Sequence, residues 1–386
     1  MNKKENKTLN KTPTEKESML HLSTPTIVVN EEILRRNIRK MAQACREKKI
    51  ALRPHFKAHK LLPIAKMQKE EGARGFTVAK LSEAAVLIKA GYQDVLVAYP
   101  LWGHDKWKEY EELASQAKMA TIIDSFESLV AWEERARKKR RPVEVYIKVD
   151  TGLHRVGYAP GEKLYDLIQR ASKNEHIILR GLLTHAGHVY GAKNEEERKR
   201  IALEEGKILL TVAHKMRKEG IALQEISVGA TPTVAYNLQT PGVTEVRPGN
   251  YVFNDATQVR LSVAKKEDCA LRVLTTVVAR PAENRRIIDG GAKVFALDKG
   301  AHGQDGTDSY GIVENIEGWK LCRLSEEHGV LEKIRAEAPE LPLGSRITVI
   351  PNHACPVVNL TNAITVLDQQ NQVIEHWPVD ARGCSQ

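Results

Sequence analysis

Short apolar runs alternate with longer amphipathic stretches over the first two thirds of the chain. Thr26–Asn30 is a strand candidate, and a helix follows from Glu31 to about Lys48. Leu34, Ile38, Met41 and Cys45 recur there at helical spacing, Asn30 is placed to cap, and Glu31 and Glu32 complement the dipole in the first turn. Eight further strand candidates are Ile50–Pro54, Gly75–Ala79, Val95–Ala98, Ala120–Ile123, Val143–Val149, Ile177–Thr184, Glu225–Val228 and Val243–Val246. Most are continuous apolar runs, as expected of strands buried on both faces. Helical patterns fill most of the intervals: Leu61–Glu71, Ser82–Lys89, His104–Ala117, Phe126–Lys139, Gly161–Lys173 and Glu195–Lys218. Strand-helix alternation of this length predicts an α/β domain, a parallel (β/α)8 barrel of the TIM type over residues 23–254. An open doubly wound sheet is the alternative that counting strands leaves standing.

Beyond Asp255 the pattern changes. Gln258–Val263, Leu271–Arg280, Arg286–Asp289, Arg346–Ile350 and Ala363–Val366 read as strands, and long helical periodicity is missing. Residues 255–386 therefore read as a second, mainly β domain. Thr26–Asn30 has no barrel partner in sequence order and is a candidate to join it. Residues 1–22, rich in Lys, Glu, Asn and Thr, read as a disordered tail with no apolar signal-peptide core.

Composition adds exclusions. The 386 residues carry a net charge of +10, but Lys and Arg are scattered along helical segments. The densest run, Arg135 to Arg141, closes a predicted helix, where positive charge offsets the dipole. No nucleic-acid signature accompanies it, so no nucleic-acid partner is expected. The five cysteines are odd in number with no CxxC pair, which fits a reducing cytoplasm rather than a disulfide scaffold. No apolar run approaches membrane-spanning length, so no membrane partner is expected.

Chemistry gathers at the ends of the predicted strands. Arg53-Pro54-His55-Phe56-Lys57-Ala58-His59-Lys60 follows the first barrel strand, at the C-terminal mouth where such barrels place their sites. Neighbouring cations lower a lysine pKa and favour the neutral amine that attacks an aldehyde, which singles out Lys57. Lys148-Val149-Asp150-Thr151-Gly152-Leu153-His154-Arg155 ends the fifth strand with more ionisable groups than a turn requires. Ser227-Val228-Gly229-Ala230-Thr231-Pro232-Thr233 offers small residues, backbone N–H groups and hydroxyls suited to a phosphate, and phosphate sites commonly follow strands seven and eight. Arg247, before the Pro248-Gly249 turn, points toward the barrel mouth. In Asn352-His353-Ala354-Cys355, an extended chain projects His353 and Cys355 to one side, and imidazole with thiolate suits zinc. Alone, the pair is two ligands short of a structural zinc site.

Together these segments resemble the fold-type III pyridoxal-phosphate enzymes, in the branch containing D-threonine aldolase and eukaryotic-type D-serine dehydratase, with an alanine racemase-like N-terminal domain. The resemblance runs from about Thr24 to Gly383 and includes Gly75–Lys80. It implies that Lys57 holds pyridoxal 5'-phosphate as a Schiff base and that Arg155 contacts the cofactor's phenolic oxygen. Gly229, Ala230 and Thr231 then form the phosphate loop, and Arg247 faces the pyridine nitrogen with Gly249 and Tyr251 beside it. Tyr190, in Gly187-His188-Val189-Tyr190, falls near substrate or cofactor; Lys57, Tyr190 and His59 are the catalytic candidates. His353 and Cys355 become metal ligands, for zinc by preference, with manganese or magnesium as alternatives. Ser325-Glu326-Glu327-His328-Gly329 is also shared, without a mechanistic role.

The same resemblance implies a homodimer and a D-amino-acid substrate bearing a β-hydroxyl. An arginine at the ring nitrogen keeps that nitrogen unprotonated and the cofactor a weak electron sink, so help must come from a metal at the hydroxyl. Retro-aldol cleavage to glycine and an aldehyde needs no separate Cα-proton removal and is the expectation. Elimination to a keto acid and ammonia is the alternative that Cys355 favours, because manganese aldolases tend to carry His-x-Asp. Racemisation is the third and needs a second base.

Overall fold

The computed structural model describes residues 18–300, 306–314 and 316–386. The tail expectation falls outside the described residues for 1–17 and is corrected for 18–22. Ser18 bridges Gln372, Met19–His21 forms a 3-10 turn, and Leu22 is buried against the β domain.

After β1 (Thr26–Asn30) and α1 (Glu31–Glu47) come the barrel strands β2 (Ala51–Leu52), β3 (Phe76–Val78), β4 (Asp94–Val97), β5 (Lys118–Ile123), β6 (Val143–Lys148), β7 (Ile177–Leu183), β8 (Glu225–Val228) and β9 (Glu245–Val246). They pair in parallel in the order β2-β9-β8-β7-β6-β5-β4-β3. The ring closes between its first and second strands through the His55–Thr77 bridge and the Thr77 N–H to Pro54 carbonyl bond of 2.8 Å. The curled sheet therefore has the TIM-like form expected.

Helices α2 (Leu62–Glu70), α3 (Leu81–Lys89), α4 (His104–Ala114), α5 (Phe126–Lys139), α6 (Glu162–Ser172), α7 (Glu195–Lys218) and the short α8 (Val234–Asn237) complete the βα alternation. Their apolar faces bury Leu87, Leu129, Leu167 and Val212 against the strands. The basic run closes α5, as expected, with Arg137, Lys138 and Lys139 in the last turn.

Charges at the starts of several strands fill the barrel floor. Arg53, 3% exposed, bonds Glu245 at 2.8 Å and Asp94 at 2.6 Å, and Arg74 bonds Glu225 at 3.0 Å. Removing one member of such a set leaves a buried charge alone, which costs about 3–5 kcal/mol. The opposite, C-terminal end is left free for a site.

The second domain begins with a correction. Gln258–Val263 is not a strand: α9 (Ala256–Arg260) forms because Asp255 caps it, accepting the Gln258 N–H at 3.0 Å. Then come β10 (Leu271–Ala282), β11 (Arg285–Ile288), α10 (Ala292–Phe295), β12 (Gly311–Val313), β13 (Trp319–Leu324), β14 (Gly329–Lys333), β15 (Arg346–Pro351), α11 (Ala354–Leu360), β16 (Ala363–Leu367) and β17 (Val373–Pro378). β1 lies between β10 and β16, so the lone first strand joins this sheet. Ser325–Gly329 is the turn of the β13–β14 hairpin, closed by the Ser325 N–H to His328 carbonyl bond of 2.9 Å.

Candidate active site

The C-terminal ends of the barrel strands and the edge of the β domain enclose a cavity of about 910 Å³. Lys57, Arg155, Tyr190, Gly229, Ala230, Thr231, Arg247, Gly249, His353 and Cys355 all line it. They come from segments nearly three hundred positions apart in sequence.

Lys57 sits in the one-turn helix Phe56–Ala58, pinned by the buried side chains on either side of it. Solvent reaches the lysine through the cavity, while protein surrounds it. Burial, reinforced by Arg155, holds its amine below the usual 10.5 against the opposing pull of Cys355 and Glu83.

Two candidates lie behind this turn rather than in the cavity wall. His59 is fully buried, and its Nδ1 accepts the Leu61 N–H at 3.1 Å. The ring proton is thereby assigned to Nε2, which donates to Gln68 Oε1 at 3.2 Å, and Gln68 Nε2 donates to the Tyr251 hydroxyl at 3.0 Å. Burial pushes His59 down to about 3. His59 and Tyr251 are thus placed to fix the lysine turn, not to touch a substrate. His55 takes the place in the wall instead, with a buried Nδ1 that has no partner among the described residues.

The phosphate-turn candidate is built by its own polar groups. Gly229 holds φ +102°, open to glycine at little cost. The Ala230 N–H donates to Thr233 Oγ1 at 3.0 Å, and Thr231 Oγ1 accepts the Tyr251 N–H at 3.1 Å. At Gly249 a Cβ would meet Ala58 at 3.0 Å and the His55 carbonyl oxygen at 3.1 Å, so glycine lets the two loops close on each other.

Arg247 is 5% exposed and donates to Ser227 Oγ and the Thr184 carbonyl. The loop after β6 is folded by Asp150, whose Oδ1 accepts the N–H groups of Gly152 and His154 at 3.0 Å each. Tyr190 is buried, which raises its hydroxyl pKa and keeps it protonated.

On the β-domain side His353 is in extended backbone, but Cys355 lies in the first turn of α11, which corrects the extended-chain picture. Both side chains still line the same cavity, and the His353 Nδ1 bonds Asp298 Oδ2 at 2.7 Å. Among the described residues no group of three or more His, Cys, Asp or Glu is arranged to hold a metal.

Three residues of the site were missed in the sequence. Lys148 lines the cavity, and burial together with Arg247 and Arg155 lowers it to about 7. Its segment was singled out, so signal existed. Glu205, 1% exposed on α7, accepts the N–H groups of Ala186 at 3.0 Å and Gly229 at 3.2 Å through one oxygen. Asp298 orients His353 as a carboxylate behind a metal-binding histidine does. No local pattern marked the last two.

A lysine of depressed basicity, a glycine-opened turn and a guanidinium at one barrel mouth, faced by a β domain, fit a pyridoxal-phosphate enzyme of fold type III. Comparison with known proteins agrees. Residues 29–257 match the family model of the alanine racemase N-terminal domain, and residues 270–367 match the putative serine dehydratase domain. The chain is 34% identical to D-threo-3-hydroxyaspartate dehydratase of Delftia sp., over 88% of this chain and 92% of that protein. It is 29% identical to D-serine dehydratase of Dictyostelium discoideum, over 92% and 98%. The crystal structure of D-threonine aldolase from Filomicrobium marinum superposes with a TM-score of 0.87 at 26% identity, covering 97% of this chain and all of that one. Solved structures of a D-threo-3-hydroxyaspartate dehydratase include a His→Ala mutant and a Cys→Ala mutant two positions further on, the latter in the metal-free form. The chain belongs to the alanine racemase-like family, in its branch of pyridoxal-phosphate-dependent D-amino-acid aldolases and dehydratases, and is an enzyme of the lyase class.

Proposed function

We propose that this enzyme is a metal-assisted lyase that removes water from a D-amino acid carrying a β-hydroxyl, giving a keto acid and ammonia. The observation that carries this is the enclosure of Lys57 and the His353–Cys355 pair in one cavity. A substrate held there meets a base at Cα and a metal site at the β-oxygen together. The preference moves from cleavage to elimination because the His-x-Cys segment places Cys355 in the cavity wall with His353, and because the chain is 34% and 29% identical to the two dehydratases above against 26% to the aldolase.

The residues fit both bound groups. The unpartnered His55 Nδ1, the glycine-shaped turn and the accessible Lys57 amine suit pyridoxal 5'-phosphate; the soft Cys355 sulfur and the Asp298-oriented imidazole suit zinc ahead of manganese or magnesium. When bound, the cofactor withdraws electrons from Cα and the metal polarises the β-hydroxyl. Lys57 Nζ would take the Cα proton, a role that its lowered basicity favours. Tyr190, kept protonated by burial, would donate toward the departing oxygen. Arg155 and Arg247 hold the cofactor plane, with Gly229, Ala230, Thr231 and Gly249 around it. A D-configured centre directs its β-carbon to the His353–Cys355 side, and the L-form directs it away. We also expect a homodimer.

Retro-aldol cleavage is the second reading, favoured by the buried guanidinium of Arg247, which leaves the cofactor a weaker electron sink. D-threonine with zinc separates the two readings. Elimination releases 2-oxobutanoate and ammonia; glycine and acetaldehyde would overturn it in favour of cleavage.

A further inference from the structure

The cavity wall is one-signed. Lys57, Lys80, Lys106, Lys148, Arg155 and Arg247 line it, and no Asp or Glu side chain does so among the described residues. Lys106 pairs with Glu109 at 3.8 Å; Lys80 has no carboxylate in ion-pair contact among the described residues. Gln386, which also borders the mouth, is engaged by the Ser82 hydroxyl at 2.8 Å.

Three of these six cations have a task in the reading above: Lys57 is the base, and Arg155 and Arg247 flank the cofactor. Lys80 has none. It occupies the N-cap position of α3, directly beyond β3, at the mouth. Glu83 Oε2 fixes its backbone, accepting the Ala79 N–H at 2.8 Å and the Lys80 N–H at 3.3 Å. The side chain lies on an aromatic platform, with Nζ 4.2 Å from the centroid of the Tyr99 ring. Tyr99 and Arg155 line the same cavity as Lys80. An ammonium held in place yet unpaired has desolvation already partly met and a bond still to make.

We propose that Lys80, seated on Tyr99, binds a carboxylate of the amino-acid substrate. The proposal rests on the lyase reading for the identity of the ligand, but its chemistry, an anion against an oriented ammonium, does not depend on which bond is broken. The carboxylate is either the α-carboxylate that every amino acid carries or a second one on the side chain.

The test uses the holoenzyme with Lys80→Met and Lys80→Arg, D-serine as the monocarboxylate and D-threo-β-hydroxyaspartate as the dicarboxylate. Calorimetric titration with D-lactate and with succinate gives a readout independent of turnover. Loss of one charge-assisted bond should raise KM about 10- to 100-fold with kcat little changed. Lys80→Met should weaken anion binding in parallel, and Lys80→Arg should recover part of both. A rise with both substrates assigns Lys80 to the α-carboxylate; a rise with the dicarboxylate alone assigns it to the side chain. Unchanged KM and unchanged anion binding in Lys80→Met overturn the proposal while leaving lyase activity intact. If wild-type protein has no lyase activity on any of these D-amino acids, the functional reading falls, and the lactate and succinate titrations still decide the role of Lys80.

Discussion

Glu205→Ala should loosen the cofactor cavity from behind without touching its lining. The carboxylate ties Ala186, which leads into the Tyr190 segment, to Gly229, which opens the phosphate turn. Truncation leaves two buried N–H groups without an acceptor, at about 1–3 kcal/mol each, or ~2–6 kcal/mol together. It also removes the carboxyl group facing Arg247 and Lys148. The cost divides between global stability and the order of the phosphate turn. If only about 1.4 kcal/mol falls on the turn, cofactor affinity drops ~10-fold. Thermal melting of the cofactor-free protein and fluorescence titration with pyridoxal 5'-phosphate read the two shares. Glu205→Gln keeps an acceptor oxygen for both N–H groups and should recover most of each loss. Wild-type affinity and melting in Glu205→Ala, or a Gln variant as defective as the Ala variant, would refute the bridging role.

Asp298→Ala should weaken zinc binding about 10- to 100-fold, measured by competition with a chromophoric chelator, while the cofactor absorbance stays; unchanged zinc affinity would show that the 2.7 Å contact to His353 does no orienting. Borohydride reduction should fix the cofactor on the peptide containing Lys57, and label recovered on Lys60 or Lys80 would displace it. His59 supplies a pH signature. Its folded pKa, about 3, lies below the ordinary 6.5, so the unfolded chain takes up the proton first. Its contribution is therefore present above pH 6.5 and lost as pH falls toward 3, at up to about 1.4 kcal/mol per pH unit. Urea unfolding of the wild type against His59→Leu between pH 7 and 4.5 should show the steeper acid loss in the wild type; parallel curves would refute it.

The barrel was readable because its strands are short apolar runs between helices with strong periodicity, and the observed ends mostly moved by one to three residues. The β domain was less so. β13 and β14 alternate buried and half-buried positions over six and five residues, too short a pattern to separate from loop. Val259, Leu261 and Val263 alternate like a strand, but the cap at Asp255 starts a helix over Ala256–Arg260 that takes in Val259 and ends at Leu261. The site showed the same division. Lys57, Arg155, Gly229 and Arg247 stand in compact segments after strands, where topology alone brings them together. Glu205 works through backbone N–H groups of two distant loops, and Asp298 through a ring 55 positions away, so neither leaves a mark in its own neighbourhood. His59 stood inside the right segment, yet whether it faces cavity or core depends on Gln68 and Tyr251.

The most direct test of the account follows D-serine and L-serine with zinc-loaded holoenzyme, recording pyruvate and ammonia release and the cofactor spectrum in one cuvette, before and after chelation. Lys57 and the His353–Cys355 pair acting on one substrate predict turnover of the D-form only, lost on chelation while the cofactor band remains. Turnover that survives chelation, or D/L interconversion of alanine with neither lyase product, would contradict it.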